Sequence, residues 1–231
     1  MSWIWQALMW ILDSANWSGP GGIAERLLEH LGYTLAALAL ASLIALPVGW
    51  LVGHWGRGKA AAIWITSALR SIPTLGLVTL AGLMFGIGWK APIIALVILA
   101  LPTLLAGAYA GVESTDPRIV EAARAQGFTQ VQILFQVEIP LGATILWGAM
   151  RSATLQIVST ATLAAYVGAG GLGGYMFLGL STQDYPLMLA SSFLVIALAF
   201  VFELLFLFGA RFFLAAHLNR NYLSENLSPA T

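Results

Sequence analysis

Five long apolar runs dominate this chain, and together they carry only three charged side chains. The runs lie at about Tyr33–Val52, Ala60–Gly88, Ile93–Val112, Ala143–Val167 and Leu187–Leu207, and the charges are Arg70, Arg151 and Glu203. A helix needs about 20 mostly apolar residues to cross the hydrocarbon of a bilayer. Each run meets that length. Composition agrees: 9% of the 231 residues are charged, against about 25% in a soluble domain. The expected fold is an all-α membrane protein of five transmembrane helices with interfacial helices at the N-terminus.

The N-terminal region fits that assignment. Trp3–Leu12 is apolar but too short to span. Trp3, Trp5 and Trp10 suit a membrane–water interface, so the segment reads equally as an interfacial helix or a partly inserted anchor. It is not expected to be a signal peptide, because the first basic residue is Arg26. Ile23–Leu31 sets Ile23, Leu27, Leu28 and Leu31 against Glu25, Arg26, Glu29 and His30, the pattern of a helix lying on a membrane surface. The organisation predicted is an extracytoplasmic interfacial region over 1–32, a transmembrane domain over 33–214 and a cytoplasmic tail over 215–231. Inside the transmembrane domain a charged loop occupies 113–140. The second run is read as one helix kinked at Pro73. Gly49/Gly53, Gly82/Gly86 and Gly107/Gly111 are GxxxG pairs, which allow close helix approach.

Charge decides the orientation. Arg57 and Lys59, Arg118 and Arg124, and Arg211 and Arg220 fall on one side of five spans, while Arg26 and Lys90 fall on the other. The positive-inside rule puts the charged loop and the C-terminus in the cytoplasm and the N-terminus outside. Net charge is zero, which gives no electrostatic case for nucleic acid. Cysteine is absent, which excludes thiolate chemistry. His30, His54 and His217 lie in separate peripheral segments, so neither a metal site nor a general base is expected.

The loop itself has local structure. Asp116 is a good N-cap and Pro117 suits the first helical position. A second helical stretch is expected from Thr129 to Glu138, ending at Pro140, so that two short helices lie across the cytoplasmic face. Composition alone fits a solvated loop as well. Glu121-Ala122-Ala123, then Gly127, then Val137, Ile139 and Pro140 resembles the EAA motif of importer permeases of the ATP-binding-cassette type, with Ile139 in place of the usual Leu. That resemblance implies a type I importer permease fold. It implies that Glu121, Ala122, Ala123, Gly127, Ile139 and Pro140 form the coupling element, which docks on a separate cytoplasmic ATPase. It also implies a second permease subunit, identical or sister, with the translocation path between the two, and an extracytoplasmic substrate-binding protein. The chain would be no enzyme and would hold no cofactor, with ATP bound on the partner subunit.

Gly168, Gly170 and Gly173 form a literal GxGxxG. A nucleotide fold would need a preceding strand in a soluble unit and an acid about 20 residues on. Here an apolar span precedes it. The glycines Gly168, Gly170, Gly171 and Gly173 instead read as a turn at the outer membrane face. Thr160–Leu180 resembles the glycine betaine, choline and osmoprotectant branch of these permeases. Arg70–Leu77 is similar to the second-helix segment of that branch and of methionine permeases.

Ser152, Gln156, Ser159 and Thr160 share one face of the fourth span. They fit a substrate-path face and interhelical hydrogen bonding equally. Glu203 fits a cation path or, better, an ion pair with an arginine outward of it or in another helix; Arg211, two turns away, is not an obvious match. The function expected is the permease of an ATP-driven importer for a small osmoprotectant such as glycine betaine or choline, in the bacterial inner membrane. The alternatives are the same machine for methionine or another small solute, a membrane channel, or a membrane enzyme. An enzyme should cluster acids or histidines at one face, and this sequence does not.

Overall fold

The computed structural model describes residues 2–226, with side chains through Arg211. Ten α-helices follow one another, and no strand occurs among the described residues. They are α1 (Trp3–Leu12), α2 (Ile23–Trp55), α3 (Lys59–Arg70), α4 (Thr74–Phe85), α5 (Lys90–Glu113), α6 (Pro117–Ala125), α7 (Gln130–Ile133), α8 (Ile139–Thr160), α9 (Gly173–Thr182) and α10 (Tyr185–Asn226). A π-helical turn, Leu134–Glu138, joins α7 to α8, and a 3-10 segment, Ala161–Val167, follows α8.

Four segments are long and apolar enough to cross a membrane: Ile23–Trp55, Lys90–Glu113, Gln130–Val167 and Tyr185–Arg211. The pair α3 and α4, bent by 87° at a short break, makes a fifth only where its two halves count as one span. The expected kink at Pro73 is therefore a full break. Pro73 lacks an N–H and disfavours a helical conformation for the residue before it, and Pro73 itself is extended, with ψ 123°. Each half has 12 residues, or about 18 Å at 1.5 Å per residue, and neither alone reaches across about 30 Å of hydrocarbon.

Two other expectations are corrected. No surface helix ends before the first span, because α2 runs unbroken for 33 residues, about 50 Å, and outreaches the hydrocarbon. The polar face of Ile23–Leu31 packs on protein, as described below. The segment Thr129–Glu138 does not stop at Pro140 to form a second surface helix. It continues without a break through the π turn into α8, with Pro140 just after that turn. At the C-terminus α10 continues helical to Asn226 through most of the expected tail, and residues 227–231 lie outside the described part.

The core is the α2–α5–α8 triple. Ala37, Ala41 and Ala45 of α2 are fully buried against Leu96, Ala100 and Leu104 of α5 and Ala153 and Ile157 of α8. With Gly49 and Gly53 they make a stripe of small residues every fourth position, one face of a helix. Lipid tails are as apolar as leucine, so helices here associate by close van der Waals contact. A methyl group on Gly49 would come within 2.6 Å of the Ala108 side chain, and one on Gly53 within 2.8 Å of Val112. Gly107 faces Ala149, and Gly111 touches the backbone of Gly142. Two of the three GxxxG pairs thus serve packing inside the subunit. In the third only Gly82 does, against Val167, since Gly86 ends α4 in open space.

Candidate coupling site and translocation face

The loop between α5 and α8 begins as its sequence predicts. The Asp116 carboxylate accepts from the Arg118 N–H at 2.9 Å, and Pro117 opens α6. Of α6 only Ala123 is buried. Glu121 and Ala122 are exposed, and so is Ile119, three residues from Ala122 on the same face. Gly127 has φ +88°, a left-handed conformation that turns the chain after α6, and a Cβ there would meet nothing. Thr129 and Gln132 then form a reciprocal capping box that starts α7. Ile139 and Pro140 stand apart from this exposed surface, half-buried at the root of α8. The predicted coupling residues are thus divided between a protruding helix and the span it leads into.

Behind α6 is a cleft of about 310 Å³ lined by Gly53, Val112, Glu113, Pro117, Glu121 and Glu138, among others. Its floor carries a contact that the sequence did not reveal. The imidazole Nδ1 of His54, at the end of α2, lies 2.5 Å from the Glu138 carboxylate on the π turn. Both side chains are buried, at 4% and 8% exposure. Nearby, Lys59 donates to Glu113 at 2.5 Å and lies 5.3 Å from the Tyr109 ring centroid, joining α3 to α5.

The fourth-span face divides. Gln156 accepts from Thr103 at 3.1 Å and donates to the Leu99 carbonyl at 3.3 Å, both on α5. Thr160 donates to the Gln156 carbonyl of its own helix. Gln156 therefore joins α8 to α5, while the Thr160 bond stays within α8. Ser152 and Ser159 are exposed, and Ser159 donates to α8 carbonyls. Glu203 of α10 pairs with Arg151 of α8, whose Nε lies 2.6 Å from the carboxylate and whose Nη2 also contacts it. The acid is paired, with an arginine of another helix.

At the other end of the bundle, Gly168, Gly170 and Gly171 all have positive φ, between 74° and 82°, and fold the chain back on itself. The turn sits on the N-terminal end of α2. Glu29 accepts from the Gly171 N–H at 2.7 Å and from Arg26 at 3.0 Å, and the Tyr33 hydroxyl donates to the Ala169 carbonyl. His30 is fully buried, its Nε2 2.9 Å from the Val158 carbonyl. Gly173 lies against the backbone of Thr162, where no side chain fits. The helix α9 that follows was not predicted. It packs on α10, and Ser191 donates to Leu172 at 2.8 Å. Helix α1 closes this end by stacking Trp3 on Tyr185 at 4.8 Å and setting Trp10 edge-on to Tyr175 at 5.0 Å.

Comparison with known proteins agrees over most of the chain. The carnitine transport permease protein OpuCB of Listeria monocytogenes is 33% identical over 175 residues, covering 76% of this chain and 80% of that one. The choline transport system permease protein OpuBB of Bacillus subtilis is 27% identical over 183 residues, covering 79% and 84%. A solved structure of the MetNI methionine ABC transporter, in an inward-facing conformation, matches with a TM-score of 0.70 at 25% identity, covering 81% of this chain and 93% of that one. The family profile described as binding-protein-dependent transport system inner membrane component spans residues 41–220. With the bent helix pair, most of the small-residue core and the protruding α6 inside that range, the chain belongs to this family of inner-membrane transport components.

Proposed function

We propose that the chain is the permease of an ATP-driven importer for a small osmoprotectant such as glycine betaine, choline or carnitine. The observation that carries this reading is α6, a capped helix with one buried side chain and an open face of Ile119 and Ala122 beside Glu121. A helix so lightly packed needs an outside partner to hold it. Small side chains permit helix-in-groove docking, and a rim glutamate can pair with a basic residue of that partner. The partner is a cytoplasmic ATPase subunit, which binds and hydrolyses the nucleotide, and this chain hydrolyses nothing and needs no cofactor. A second permease, identical or sister, completes the path, and a binding protein delivers cargo at the outer mouth near the Gly168–Gly173 turn. The N-terminus is outside, and the C-terminus lies in the cytoplasm of a bacterial cell.

The cargo follows the relatives, whose names give carnitine and choline. The polar groups fit a path that does not retain a cation. Ser152 and Ser159 offer only hydroxyls, and the Glu203 charge is held by Arg151. The test is uptake of radiolabelled glycine betaine, choline and carnitine into proteoliposomes holding the full complex. ATP-dependent uptake of at least one is expected, with excess methionine leaving it unchanged. Methionine uptake with none of the three would overturn the cargo assignment.

A further inference from the structure

The buried His54–Glu138 contact lies where three helices converge. At the same level Gly53 packs on Val112, and Gly111 of α5 touches Gly142 of α8. The contact joins the last turn of the first span to the only π turn among the described residues. A π turn inserts one residue into a helix and marks functional sites more often than chance. Here it turns Glu138 inward, between α2 and the cleft beneath α6, while Phe135 and Gln136 stay exposed. Isolating a carboxylate from water is unfavourable unless a hydrogen bond or an opposite charge replaces the water. Among the described residues His54 is the hydrogen-bond partner of this carboxylate, and His54 Nε2 has none. Apolar side chains would fill the same space more simply.

We propose that the His54–Glu138 pair is the joint by which the coupling helix moves the first span. The inference rests on the reading of α6 as the ATPase dock. Force on α6 passes through the left-handed turn at Gly127 and the Thr129–Gln132 capping box into α7. The π turn then divides it between α8, by chain continuity, and α2, by the Glu138–His54 bond. Without the joint, α8 moves and α2 lags. Both are positioning residues, and neither touches cargo or nucleotide.

The test exploits a chain without cysteine. Spin labels at Arg57→Cys and Gln126→Cys, in the full complex in lipid, report whether the end of α2 follows α6. The expected result is one narrow distance that persists when ATP is trapped on the ATPase. Glu138→Ala should broaden that distance on trapping and lower solute transported per ATP hydrolysed by about tenfold, the scale of a coupling contact. Glu138→Gln keeps a hydrogen-bond acceptor and should restore both. A merely structural role would lower assembly, hydrolysis and uptake together and leave their ratio unchanged. That result, or an unaltered distance in Glu138→Ala, overturns the proposal. Co-purification of the ATPase separates the two readings. If it survives replacement of 121–127 by a glycine–serine linker, the docking assignment fails. If it is lost there while Glu138→Ala behaves as wild type, only the joint fails.

Discussion

At the scale of single residues, glycines do two different jobs here, and substitution separates them. Gly127 has open space where a Cβ would be, so its requirement is the backbone at φ +88° alone. A left-handed residue with a Cβ costs about 1–2 kcal/mol. Gly127→Val should therefore weaken ATP-driven uptake while leaving expression and thermal stability of the bundle near wild type, and Gly127→Asn should be milder. Gly142 is the opposite case, helical but pressed against the Gly111 backbone. Gly142→Leu should separate α5 from α8 and lower the melting temperature in detergent. Gly32, also helical, has nothing within 4 Å, and Gly32→Ala should leave stability equal or higher, since alanine favours a helix by about 1 kcal/mol. Equal melting temperatures for Gly142→Leu and Gly32→Ala would refute this assignment of contacts. Local features such as these were legible in the sequence. Asp116 and Pro117 announce a helix start. The pairs Arg151–Glu203 and His54–Glu138 were not, because they join residues 52 and 84 positions apart. Their formation depends on which helices are neighbours and at what depth.

At the scale of elements, hydropathy located the four long spans and the bent pair but misjudged how they begin and break. The charged face of Ile23–Leu31 looked like a surface helix because its partner is 142 residues away, in the turn whose Gly171 N–H donates to Glu29. The Ala37–Ala41–Ala45–Gly49–Gly53 stripe was in plain view, though only its last two members stood out as a motif. Helix α9 follows three left-handed glycines and looked like more of the same loop. That turn yields a prediction of its own. Glu29 closes a bridge from Arg26 to the Gly171 backbone, and Glu29→Ala would leave that N–H without its partner. The expected outcome is faster amide exchange across 168–173 and a weaker response of ATP hydrolysis to the loaded binding protein. Unchanged exchange there would show that the bridge does not hold the turn.

For the whole molecule, the decisive quantity is sidedness. Helices of 33 and 38 residues outreach about 30 Å of hydrocarbon, so α2 and the α7–α8 segment project from it. The Arg26–Glu29–Gly171 assembly sits at the end of α2 opposite the His54–Glu138 joint. The function requires the first outside and the second in the cytoplasm. Only the distribution of lysine and arginine says which is which, and that rule acts during insertion and leaves no mark on the packing. Single cysteines in this cysteine-free chain read it directly. Arg57→Cys and Gln126→Cys should resist a membrane-impermeant maleimide added to intact cells and react once the membrane is opened. Ser18→Cys and Trp89→Cys, both exposed, should react at once. The reverse pattern would put α6 outside, beyond the reach of any cytoplasmic ATPase, and the coupling role of Glu121–Gly127 would fall with it.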